Sequence, residues 1–456
     1  NPAPARGGPG RVGMGGGPRG RHPRGLGREG GRDTARAGPS AGRPAEGGGS
    51  PASVTPRLRK GRAPSGLFPC LSPPMMVKDR ITHRSGETMH EIIEKMRGHD
   101  KFGEFIAPVD EGNEFRDATY FLREDGTFVF SEGYCHEPDK PLAERHLVSH
   151  IVFLPEAGEV PPYAKKKIFG QAYENLTKGI MNTQPLNMFY PLQLKRYLEI
   201  DPLLDVQKPP YAKYKALVPV DSFVGYFPHL HAMRAIFNRA DGGDASAQRI
   251  KRSVEASADF LGITPEQFGI SGSLSIGTYE NPHDLDVVIY ASVKEVRRIV
   301  DFLYKVTAVK EERKVFEFGK YWPIRYWEWV DGEKFMFCPF FSYMDLSECP
   351  LRDFTCEVIG AVKFDARVSD HTHNSYNPTV LGVEKARLDG KGRAGEMRLI
   401  LYHGGERGDY VEGDRVTGEA AHVLVRTFSG TGSARRQSGE YEALLATNIG
   451  DVRKLS

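Results

Sequence analysis

Between Phe268 and Tyr290 the chain reads Phe-Gly-Ile-Ser-Gly-Ser-Leu-Ser-Ile-Gly-Thr-Tyr-Glu-Asn-Pro-His-Asp-Leu-Asp-Val-Val-Ile-Tyr. A Gly272-Ser273 turn precedes an Asp284-x-Asp286 pair that opens an apolar run. Side chains alternate along a strand, so Asp284 and Asp286 project from one face while Leu285 and Val287 project from the other. Two neighbouring carboxylates repel unless a cation lies between them. Hard oxygen ligands of this kind suit Mg²⁺ or Mn²⁺, and Mg²⁺ in particular favours a few carboxylates combined with substrate phosphates. A glycine-serine turn ahead of a helix offers open N–H groups and a hydroxyl to those phosphates. Asp284 and Asp286 are therefore the candidate catalytic and metal-ligating residues, and Gly272 and Ser273 the candidate nucleotide-binding ones. The plainer alternative makes Asp284 a turn or cap residue and Asp286 a charge at a strand edge.

The pattern resembles the signature of the DNA polymerase beta-like nucleotidyltransferase superfamily, in which a Gly-Ser turn and a short helix lead into a strand carrying Asp-x-Asp. The resemblance implies that Gly272 and Ser273 hold the triphosphate and that Asp284 and Asp286 hold divalent metal. It implies Mg²⁺-dependent transfer of a nucleoside monophosphate from a nucleoside triphosphate such as ATP to an acceptor hydroxyl, releasing pyrophosphate. RNA ends, proteins and small hydroxylated molecules all qualify as the acceptor.

Superfamily members carry a third carboxylate on a later strand. Trp322–Phe341 reads as a β-hairpin turning on Asp331-Gly332. It looks like the corresponding hairpin of archaeal CCA-adding enzymes, where that aspartate stands three residues before a proline. Counting back from Pro339 gives Met336, with Glu328 and Glu333 as nearby acids out of register. A noncatalytic nucleotide- or RNA-binding protein that keeps the fold is thus the competing expectation. His283 stands where a serine commonly precedes the first aspartate. Arg297, Arg298, Arg325 and Lys334 are the cations that could reach a triphosphate.

The elements expected to position these residues give an α+β protein in several parts. Residues 76–215 read as an N-terminal α+β module, with strands over Thr127–Tyr134 and Leu147–Leu154 and helices over Tyr163–Met181 and Leu192–Glu199. Residues 216–347 read as the nucleotidyltransferase domain, with a central mixed sheet. Its first part, Pro219–Gly262, looks helical with a break at Asp241-Gly-Gly243, and a Ser-capped helix begins at Ser292. Residues 348–456 carry short apolar segments separated by glycines, the pattern of a small β-barrel. The order also resembles a set of archaeal proteins described as predicted nucleotidyltransferases, through Gly133-Tyr-Cys-His-Glu-Pro138, the central motif and Gly413-Asp-Arg-Val416. His136, Glu137, His146 and His150, like Asp370-His371-Thr-His373, match no familiar metal-ligand spacing and read as loop and strand residues.

The net charge of +3 over 456 residues is unevenly spread. Residues 1–75 are rich in Gly, Pro and Arg, with Glu29, Asp33 and Glu46 as acids, and read as a disordered segment. They are either an RNA-binding tail or a leader ahead of a start at Met75 or Met76. The five cysteines are odd in number and form no Cys-x-x-Cys pair, which argues against a disulfide framework or a zinc site. No apolar run approaches the roughly 20 residues of a membrane span, so a cytoplasmic protein with no membrane partner is expected. The oligomeric state is not legible.

Overall fold

The computed structural model of the protein describes residues 89–155, 164–199, 201, 208–280, 284–392 and 395–455, which form an α+β arrangement of helices and three sheets. The expectations for residues 1–75 and for His283 lie outside the described residues. All of the described residues belong to one compact unit.

The first part opens with helices α1 (Met89–Arg97) and α2 (Phe102–Phe105). Its strands are β1 (Tyr120–Arg123), β2 (Phe128–Ser131), β3 (His146–Pro155), β4 (Ala164–Ile168) and β5 (Gln171–Asn175). Helices α3 (Leu176–Thr183) and α4 (Phe189–Leu198) follow, and then β6 (Ala216–Pro219) and β7 (Phe223–Phe227). The sheet runs β4-β5-β3-β2-β1-β7, with β6 also on β3. Two expectations are corrected here. Tyr163–Met181 is not one helix among its described residues: β4 and β5 form a hairpin turning on Phe169-Gly170, both left-handed (φ 45° and 79°). Ile168 and Tyr173 are buried on it, and Asn175 then caps α3 by accepting from the Lys178 N–H at 3.0 Å. Residue 216 is expected to open the middle part and Pro219 its first helix; instead Ala216–Pro219 and Phe223–Phe227 are β6 and β7 of this first sheet.

The second part contains α5 (His229–Asp241), α6 (Ala245–Leu261), β8 (Phe268–Ile270), α7 (Gly272–Ser275), β9 (Asp284–Ala291) and α8 (Val293–Val309). Strands β10 (Lys314–Glu317), β11 (Lys320–Val330) and β12 (Glu333–Tyr343) complete it, in the order β10-β11-β12-β9-β8. The sheet is mixed: β9 runs parallel to β12 and antiparallel to β8. Val287, Val288 and Ile289 are all buried, as an unbroken apolar run in a sheet covered on both faces requires. Helix α5 lies close over β8, where a methyl group on Gly269 would meet His229 Cβ at 2.5 Å. The β11–β12 hairpin turns on Asp331-Gly332, both at positive φ, as an Asp-Gly pair favours.

The third part is all strand: β13 (Phe354–His373), β14 (Thr379–Leu388), β15 (Lys391–Gly392), β16 (Met397–Leu401), β17 (Arg415–Ser429), β18 (Arg436–Ala446) and β19 (Val452–Leu455). The pairings β13-β14-β16-β18-β17 return to β13, so five strands close a ring. Strand β13 serves both neighbours because it is 20 residues long, pairing with β17 over Phe354–Arg367 and with β14 over Phe364–His373.

Candidate functional site

Asp284 and Asp286 open β9 on one face, as the alternation requires, and Leu285 between them is fully buried. Gly272 sits beneath Asp286 in the left-handed region, at φ 58°. A Cβ there would lie 2.0 Å from Asp286 Oδ2, so only glycine lets the carboxylate occupy its place. The Ser271 N–H donates to the Asp286 carbonyl at 2.8 Å, which locks the turn to the strand. Burial and the adjacent Asp284 push the Asp286 carboxyl up to about 6, against the pull of Arg325 and Lys178. Two crowded acids, one of them desolvated, form a site whose strain a divalent cation would relieve. The donor set therefore suits Mg²⁺ held jointly with phosphate oxygens. No group of three or more His, Cys, Asp or Glu positioned to hold a metal occurs among the described residues.

Gly272, Asp284 and Asp286 line a cavity of about 370 Å³ bounded by the first and second sheets, α3, α4 and loops of the third part. Ser273 is not on that wall, and its carbonyl accepts from the Thr278 N–H and hydroxyl at 3.2 and 2.7 Å. Of the four cations suggested by the sequence, only Arg325 reaches the cavity. It stacks 3.9 Å from Trp322 and donates to Glu317 at 2.9 Å. Arg297 pairs with Asp301, Arg298 donates to the Leu261 carbonyl, and Lys334 lies over Trp327. Two lysines that the sequence did not single out face the aspartates. Lys178 Nζ is 3.9 Å from Asp284 Oδ2, and burial next to Lys178 pushes Lys166 down to about 8 although the carboxylates oppose the shift.

The β9–β12 register shows why the third carboxylate was elusive. Met336 stands beside Asp284 and Cys338 beside Asp286, so a thioether and a thiol flank the pair. Glu328 is paired with Arg313 at 2.7 Å and Glu333 with Arg249, both away from the cavity. The additional acid that the fold brings to the aspartates is Glu317 on β10, raised by burial and by Asp284 and held by Arg325.

The inner end of the cavity holds a second constellation, and His150, expected to be an ordinary strand residue, belongs to it. Glu132 is fully enclosed and accepts from His150 Nδ1 (2.5 Å), the Tyr190 hydroxyl (2.6 Å) and Asn377 Nδ2 (2.7 Å). The Lys215 ammonium is 3.3 Å from its other oxygen and 3.3 Å from the Tyr190 ring centroid. Burial opposes ionisation of Glu132, but Lys215, His150 and Tyr190 outweigh it and hold the group well below the usual carboxylate range. Asp117 accepts from Asn377 Nδ2 at 2.8 Å and faces Arg407 at 3.6 Å; burial lifts it to about 6. These residues come from β3, α4, both flanks of the first sheet and two loops of the third part. No local spacing could have revealed them. His371 accepts from the Glu412 N–H and His373 bonds the Tyr343 hydroxyl, so both are structural.

No family model matches this chain, nor does any curated protein or solved structure. No helix among the described residues is long and apolar enough to cross a membrane.

Proposed function

We propose that the protein is a Mg²⁺-dependent nucleotidyltransferase, a reading carried by the Asp284–Asp286 pair standing over left-handed Gly272 on the cavity wall. Asp284 and Asp286 would hold the metal, and Gly272 would seat the phosphates. The ion, when bound, neutralises the triphosphate and stabilises charge on its oxygens. Lys178, Lys166 and Arg325 balance the remaining negative charge at this end of the cavity. An acceptor hydroxyl attacks the α-phosphorus; its O–H proton is lost, the bond from that phosphorus to the β-phosphate oxygen breaks, and pyrophosphate departs. In this reading the second sheet is of the nucleotidyltransferase type and the ring of five strands is a small β-barrel. The test is nucleotide transfer, followed by pyrophosphate release over RNA ends, protein and small-molecule acceptors. Asp286→Ala should abolish release, and undiminished release by that variant would sink the assignment.

A noncatalytic nucleotide or RNA binder is the second reading, and it is favoured by Met336 and Cys338 standing in register where a carboxylate would complete the site. Calorimetry separates the two, because tight Mg²⁺–ATP binding with no pyrophosphate released over the same panel selects the binder.

A further inference from the structure

We infer that the inner end of the cavity is a base-reading subsite, in which Asn377 Oδ1 and His403 Nε2–H select a nucleobase bearing an amino group beside an unprotonated ring nitrogen, as in adenine and cytosine. This inference rests on the nucleotide reading of the aspartate end and names which nucleotide that site takes.

The assignment follows from hydrogen bonds already made. Asn377 and His403 are 2% and 4% exposed and both line the cavity. Both amide hydrogens of Asn377 are committed, one to Asp117 and one to Glu132. Flipping the amide would set its oxygen against two carboxylates, so Oδ1 is fixed as an acceptor, and it has no partner. His403 Nδ1 accepts from the Gly405 N–H at 2.9 Å. The hydrogen of the neutral ring is therefore on Nε2, a buried donor that also lacks a partner. Burial keeps the imidazole neutral by holding it well below its ordinary range.

The two side chains are linked through Tyr190. The His403 ring packs edge-on to Tyr190 at 4.5 Å, and the Tyr190 hydroxyl shares Glu132 with Asn377. Phe130 and Phe340 line the same space, and the planar Arg407 guanidinium, stacked 4.0 Å over the Phe340 ring, offers a ring a flat cationic face. One fixed acceptor and one fixed donor complement an amino N–H next to a ring nitrogen acceptor. They oppose a carbonyl next to a ring N–H at both positions. An unmatched buried polar atom is costly, which makes such a pair selective rather than merely adhesive.

The probe is ATP against ITP, which differ only in that both edge groups are reversed, with CTP and UTP as the pyrimidine counterpart. Binding to the full chain is followed by calorimetry in excess Mg²⁺, with no acceptor present. ATP should bind about 100-fold more tightly than ITP, and CTP more tightly than UTP. His403→Phe keeps the ring against Tyr190 but removes the donor, and should cost ATP about tenfold while leaving ITP nearly unchanged. Equal binding of ATP and ITP by the wild-type chain would overturn base reading and leave the nucleotidyltransferase proposal standing. Binding of none of the four nucleotides would overturn both.

Discussion

At Gly272 one missing side chain governs the aspartate end of the cavity. A β-carbon would overlap the Asp286 carboxylate and would also sit at positive φ, so Gly272→Ala combines a clash with backbone strain. We expect it to cost on the order of 1–3 kcal/mol in urea unfolding and to remove Mg²⁺–ATP binding in calorimetry, because Asp286 must move. Retained binding would show that the position of Asp286 is immaterial. Glu132 calls for a different substitution logic. Removing it alone leaves Lys215 buried and uncompensated, so Glu132→Ala should lose about 3–5 kcal/mol. The double variant Glu132→Leu with Lys215→Met removes both charges and should recover part of that loss in the same unfolding measurement, since a buried ion pair is replaceable by apolar groups where half of one is not.

The register of β9 against β12 is the element-scale feature on which the proposed catalysis turns. It places Met336, 3% exposed, directly beside Asp284. Met336→Asp would supply a third carboxylate at the position expected from the hairpin. Without metal the variant should melt lower, because three acids are crowded into a partly desolvated wall. Added Mg²⁺ should restore its melting temperature more than it raises that of the wild-type chain, by linkage to a tighter site. An equal response of the two proteins to Mg²⁺ would mean that β12 does not face the metal position. The hairpin bearing Met336, the strand bearing the aspartates and the glycine before them were all legible in the sequence, because turn chemistry and alternation are local. The β4–β5 hairpin was not, since Lys165–Ile168 lacks a clear apolar alternation and its turn uses Phe169 at positive φ, which local propensity disfavours. Strand β13 was missed because so much of it is solvent-facing, with Val358 and Ile359 more than half exposed. Glu317 could not be recognised as a neighbour of Asp284 until β10 was placed at the outer edge of the sheet.

Across the whole molecule, buried neutral histidines brace the core and contribute to how it responds to acid. His229 on α5 donates from Nε2 to the Ala118 carbonyl (2.9 Å) and accepts at Nδ1 from the Tyr290 hydroxyl (2.9 Å), joining the first sheet to β9. His136 donates from Nε2 to the Gly133 carbonyl (3.0 Å) and accepts at Nδ1 from the Val148 N–H (3.2 Å). Protonating either ring would destroy an accepted bond and place a charge in the core. Burial accordingly pushes both down to about 4, although the backbone bonds oppose the shift; Arg116 adds to it at His229, while Glu132 works against it at His136. The unfolded chain regains the ordinary value of about 6.5, so it binds more protons than the folded chain between roughly pH 6.5 and 4. Stability from these residues is therefore fully present above about pH 6.5 and falls as pH drops towards 4, by on the order of 3 kcal/mol per ring. Glu406 works in the opposite direction. Burial and Asp409 raise it to about 8, and burial likewise raises Asp117 and Asp286 to about 6, so the folded state takes up these protons as pH falls and they offset what the histidines lose. In urea midpoints measured from about pH 7 to pH 4, His229→Gln should start less stable than the wild-type chain, and its midpoint should change with falling pH by roughly one proton's worth less loss. An unchanged slope in that variant would mean that His229 is already charged in the folded protein, contrary to the hydrogen bonds that define its neutral form.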